Sequence, residues 1–121
     1  MGYEGIIMPT LHTPSLAVRR ALSKLGGDIY DARKRRKLSA KVVSERAFTS
    51  RKTLKRVEDG DYRVSIGIYA SVLQALGMID GLADIADASR DKVGLQLMSD
   101  AARRKPVNLD KHYVRSDRDI C

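Results

Sequence analysis

A chain of 121 residues with 23 basic and 15 acidic side chains carries a formal charge of +8, and that length holds one folded domain with tails, not two. A core of roughly 80 residues excludes a deep catalytic cleft and favours a compact helical bundle. One Phe and no Trp mark a chain sparse in strand formers, and a single Cys at the last position excludes an internal disulfide and a cysteine zinc set.

Residues 1–14 hold Pro9 and Pro14 and show no steady apolar period, so they read as a flexible arm. The apolar patch Ile6-Ile7-Met8 lies in that arm. From Ser15 the apolar positions Val18, Leu22, Leu25, Ile29 and Ala32 recur at spacings of four and three, the stripe of an amphipathic helix. Gly26-Gly27 falls inside it, and a glycine pair costs about 2 kcal/mol against alanine in a helix interior. The spacing therefore predicts two helices, 15–25 and 27–37, the second ending in the basic run 33–37, where cations suit a helix C-terminus. That run reads either as a phosphate-binding strip or as an exposed helix end.

Ser39 is placed to cap a helix over 40–46 and Ser50 to cap one over 51–59, with Ala47-Phe48-Thr49 as the connection and Gly60 as the stop. After the loop Asp61-Tyr62-Arg63, Ser65 caps a helix over 66–76, followed by Gly77. Ile66, Tyr69, Leu73 and Leu76 share one face. A helix over roughly 79–86 and another over 92–102, carrying Val93, Leu97 and Ala101, complete the pattern. After Pro106 the sequence becomes a polar tail. The fold class is thus all-α, with 1–14 as arm, 15–86 as domain and 87–121 as C-terminal extension.

Charge is distributed unevenly. Residues 1–37 hold eight basic and three acidic side chains, whereas 61–102 hold three and six. A one-sided positive field suits a polyanion. No long apolar run spans a membrane, no signal-peptide core opens the chain, and cytoplasmic location is the expectation. His12 and His112 are isolated, and no metal or cofactor site is expected. An enzyme needs a nucleophile, an acid–base pair or a metal set, and none is legible. Asp80, Asp84, Asp87 and Asp91 would share a helical face at 4-3-4 spacing if the helix continued. Such a strip reads as a solvated acidic face, a surface for a basic partner, or a divalent-cation site.

The informative stretch is LSAKVVSERAFTSRKTLKRVEDG, residues 38–60. Two short helices joined by three residues need a small side chain where they cross, and Ser44 supplies it. Val43 and Ala47 face inward from one helix, and Leu54 and Val57 from the other. With Arg51 as zero and about 100° per residue, Lys55, Lys52 and Arg56 fall at about 40°, 100° and 140°. The two apolar anchors lie across from this cationic arc. Such a helix fits the DNA major groove.

These residues resemble the helix-turn-helix of the Cro/C1-type (XRE) transcriptional regulators, over roughly residues 26–86. The resemblance implies a lambda-repressor-like five-helix bundle in which helix 51–58 reads DNA. Ser50, Arg51, Lys52 and Lys55 would meet base edges, and Ser39, Lys41, Thr53 and Arg56 the DNA backbone. Three residues depart from the family pattern. Ala40 replaces a common Gln, Phe48 the usual turn Gly, and Thr49 an apolar residue. If the turn needs a positive φ, Phe48 costs of order 1 kcal/mol. The stretches LGGDIYDARKRRKLSAKVVSERA, VSIGIYASVLQALGMIDGLADIAD and DKVGLQL are similar to the HipB-like antitoxins. That implies a homodimer on a palindromic operator that represses its own operon and holds a HipA-type kinase toxin. A stand-alone regulator and a protein-interaction module without DNA are the alternatives. The dimer surface is expected at Ile68, Val72, Met78, Ile79 and Leu82, unless these are simply core.

Overall fold

The computed structural model describes residues 13–104, all of whose regular elements are helical. They are α1 (Leu16–Arg35), α2 (Ala40–Arg46), α3 (Arg51–Glu58), α4 (Ile66–Ala75), α5 (Ile79–Ala83) and α6 (Lys92–Arg104), with a single 3-10 turn at Ala88–Arg90. The chain forms two compact units that divide after Leu82. The expected readings for residues 1–12 and 105–121, including Ile6-Ile7-Met8, both histidines and Cys121, lie outside the described residues. No described helix is long and apolar enough to cross a membrane.

Serine starts each of the first four helices, and one main-chain motif ends them. Ser15, Ser39, Ser50 and Ser65 each stand in extended backbone, and each accepts a hydrogen bond from the N–H three residues on. This satisfies one orphan donor of the first turn. At the C-termini, Lys37, Phe48, Gly60 and Gly77 adopt φ of 55°, 56°, 75° and 79°. Paired bonds close each end, as in Leu38 N–H to Arg33 C=O at 3.2 Å and Lys37 N–H to Lys34 C=O at 2.9 Å. These are Schellman stops, which favour glycine because it has no Cβ to strain. Two of the four use a residue that is not glycine.

The helix expected to break at Gly26-Gly27 runs unbroken through both. Gly26 is buried, and a Cβ on it would lie 2.6 Å from Val57 O, Glu58 O and Gly60 N. The C-terminus of α3 rests on that bare stretch of α1. Gly60 returns the contact, since a Cβ there would lie 2.5 Å from Leu22 O. Close packing of two backbones, not helix termination, explains Gly26. Gly27 is exposed and has open space around its Cβ position. The two neighbours should thus respond oppositely to alanine. Gly26→Ala should lower stability by about 1–3 kcal/mol through forced separation of the helices, whereas Gly27→Ala should raise it by roughly 0.5–1 kcal/mol through helix propensity. Urea midpoints of the two variants read the difference, and equal effects would refute the close-contact account.

The core gathers on the inner sides of α1 to α4. Ile29, Val43, Leu54, Val57 and Val72 are its largest fully enclosed side chains, with Ala32, Ala47, Val64, Tyr69, Leu73 and Leu76 around them. Ser44 on α2 is buried, and its hydroxyl donates to Lys41 C=O at 3.0 Å. The apolar stripe of α1 is only partly used. Leu16 and Val18 are exposed, and Leu22 and Leu25 half-buried. Ile66, expected to share a face with Tyr69, Leu73 and Leu76, is 72% exposed, whereas those three are buried.

In the second unit, α6 follows the 3-10 turn, and Asp91 accepts from Gly94 N–H at 3.0 Å at its start. Val93, Leu95, Leu97 and Met98 are exposed along this helix. The acidic strip expected from Asp80 to Asp91 is not one helical face. The helix of Asp80 ends at Ala83, while Asp87 caps the 3-10 turn by accepting from Ser89 N–H at 3.1 Å. No cluster able to hold a metal ion occurs among the described residues.

Candidate nucleic-acid interface

The chemistry centres on the exposed side of α3. Leu54 and Val57 are buried, which turns Arg51, Lys52 and Lys55 outward to water. Arg51 and Lys52 make no ion pair with another described residue. Lys55 reaches Asp59 at 3.2 Å, with both side chains mostly exposed. A surface pair of that kind is worth under about 1 kcal/mol, so a phosphate can displace it. Lys41 on α2 makes a similar exposed pair with Glu45 at 3.3 Å.

The remaining expected contacts are partly engaged within the fold. Ser50 Oγ accepts from Thr53 N–H and donates to Thr53 Oγ1, both at 3.0 Å. Ser39 Oγ accepts from Val42 N–H at 3.1 Å. Arg56 donates through Nε to Asp61 at 2.9 Å and is half-buried. The cationic arc therefore contracts from four side chains to three.

Two ion pairs, neither announced by the local sequence pattern, hold α3 in place. Arg33, at the end of α1, donates through Nε and Nη2 to the two carboxylate oxygens of Glu58 at 2.7 and 3.1 Å, and through Nη1 to Leu38 C=O at 3.1 Å. The paired side chains are 10% and 8% exposed, and the Glu58 bond pushes the Arg33 guanidinium pKa up. The Arg33 guanidinium also lies 5.3 Å from the centre of the Tyr30 ring. Arg33 thus leaves the basic run, and Lys34, Arg35, Arg36 and Lys37 remain exposed.

Asp61 forms the second anchor. Its carboxylate accepts from Arg63 N–H at 2.8 Å, from the Arg63 guanidinium, and from Arg56. Its C=O accepts from Tyr69 O–H at 2.8 Å. The loop after α3 is thereby tied to α3 and α4. Hydrogen bonds from Arg63 and then Arg56 hold the Asp61 carboxyl far below the usual carboxylate range. A depressed folded pKa contributes stability above the unfolded value of about 4, which is lost as pH falls below it. The stability gap between wild type and Asp61→Asn should accordingly be full at neutral pH and shrink below about pH 4. Denaturant midpoints across that range test this, and a gap independent of pH would refute it.

No family model, curated protein or solved structure matches the chain. The site therefore rests on its own geometry. An open groove of about 520 Å³ between α1 and α3 is lined by Tyr30, Asp31, Arg51, Lys55 and Asp59 among others. Its mixed charges do not select a small anion.

The expected dimer surface divides. Val72 is fully enclosed and belongs to the core, so it has no surface to offer a second copy. Ile68, Ile79 and Leu82 are half-buried and pack against that core, while Met78 is 37% exposed. The small core of the first unit thus takes in Val72 fully and Ile68, Ile79 and Leu82 in part.

Proposed function

We propose that the chain is a sequence-specific DNA-binding transcriptional repressor, with α2 and α3 as its helix-turn-helix and α3 as the reading helix. In this reading α1 to α5 form a lambda-repressor-like five-helix domain. The observation that carries it is the outward arc of Arg51, Lys52 and Lys55 on a helix whose opposite face is pinned by Leu54, Val57 and Glu58. Arginine and lysine at such positions reach guanine O6 and N7 or flanking phosphates. A helix held on three sides presents those groups in one orientation.

One such helix reads only a few base pairs, so operator selection requires a dimer, whose two reading helices would lie about 34 Å apart on a palindromic site. The resemblance to HipB-like antitoxins extends the proposal to a chain that also holds a HipA-type kinase toxin. The exposed apolar residues of α6 support a protein-binding role in the second unit. A stand-alone regulator would use the same DNA face without that partner.

The test is enrichment of a duplex from a randomised pool, followed by a shift assay on the chain's own promoter. Arg51→Ala or Lys52→Ala should cost about 1–3 kcal/mol on the enriched duplex and less on random DNA. Equal losses on both would reduce these residues to phosphate contacts. Absence of any enriched duplex would leave the protein-interaction reading.

A further inference from the structure

Phe48 is the chain's single phenylalanine, and it is 94% exposed. It also stands at φ 56°, where a Cβ costs about 1 kcal/mol and glycine nothing comparable. The equivalent stops after α3 and α4 are glycines, and the one after α1 is Lys37, a polar residue suited to the surface. Neither the strain nor the exposed ring is offset by packing among the described residues. A strained backbone bearing an unburied aromatic points to a contact outside the fold.

The surroundings select the occupant. Between residues 38 and 61, Phe48 is the one large hydrophobic side chain that is exposed. A protein-binding hot spot clusters several such groups, and within this stretch of the sequence the ring stands alone. Its exposed neighbours are instead polar or charged. Arg46 lies two residues before it, and Ser50, Arg51 and Lys52 follow within four. An isolated apolar group beside cations matches the wall of a DNA groove, where deoxyribose and thymine methyl groups are the apolar parts of a polyanion.

We propose that Phe48 is a DNA-contacting residue that packs its ring against a deoxyribose or thymine methyl beside the groove occupied by α3. This rests on the DNA-binding reading above. The contact is non-ionic and releases no counterions, so it strengthens binding without changing the dependence on salt. It also accounts for a bulky residue where main-chain geometry favours glycine.

The test compares wild type, Phe48→Gly and Phe48→Leu on the duplex that wild type enriches from a randomised pool, with urea stability of each. Phe48→Gly should be at least as stable as wild type, because it relieves the positive φ. It should nevertheless bind about tenfold more weakly, with an unchanged slope of affinity against salt. Phe48→Leu should recover most of the loss. Wild-type affinity in Phe48→Gly would overturn the contact while leaving the DNA reading intact. A changed salt slope would also overturn it, because the loss would then run through phosphate contacts. Failure of wild type to enrich any duplex would overturn the DNA reading, and this inference with it.

Discussion

Glu58→Gln is expected to lower stability by about 3–5 kcal/mol, the largest loss from any single polar substitution in the first unit. The substitution keeps the shape of the side chain and removes its charge. Arg33 is then left as a cation enclosed to 10% exposure, with a neutral amide in place of its partner. An uncompensated buried charge is costly because the interior cannot hydrate it. The same variant should also weaken DNA binding, since Arg33 and Glu58 join the end of α1 to the end of α3. Urea unfolding measures the first effect and affinity at a temperature where the variant remains folded measures the second. Replacing both partners by apolar residues, as in Arg33→Met with Glu58→Leu, should restore much of the stability, because no charge is then stranded. A double variant as unstable as the single one would show that the contact serves through packing and not through charge.

The second large effect is on affinity. A dimer that neutralises six or more phosphates should bind roughly a thousandfold more weakly at about 200 mM salt than at about 50 mM. Exposed cations outside the base-reading set, Lys41 and the run Lys34 to Lys37, are available for such contacts. Arg56 should add little, because its guanidinium is held by Asp61. Lys41→Ala should reduce the salt slope by about one charge per copy, and Arg56→Ala should act mainly on stability through Asp61. A flat salt response would remove the electrostatic basis of the proposed function.

Local rules reveal much of this molecule, and long-range ones do not. The serine caps, the glycine stops and the inward faces at Val43, Ser44, Ala47, Leu54 and Val57 are each set by spacing within a few residues, and so can be read from the chain. Gly26 misleads because its reason lies more than thirty residues away, at the end of α3. Arg33 and Glu58 are separated by 25 positions, and no local pattern announces their pairing. A signal did exist in each helix. Arg33 continues the inward stripe of Ile29 and Ala32, and Glu58 follows Leu54 at one turn. A charged residue on an apolar stripe calls for an opposite charge on the facing helix. The outward cations on α3 were legible for the converse reason, since the buried anchors beside them fix which side faces water. The engagement of Arg56 by Asp61 was not, because it depends on how the loop after α3 closes.

The seam between α1 and the end of α3 differs in kind from the rest of the core. Elsewhere a lost methyl group can be restored by a larger neighbour, so sequences can drift by paired exchanges. At Gly26 and Gly60 both faces of the contact are main chain, which no substitution elsewhere can trim. The usual route of compensation is closed there. Related chains that keep this helix arrangement should retain glycine at both positions even where the surrounding apolar residues have turned over.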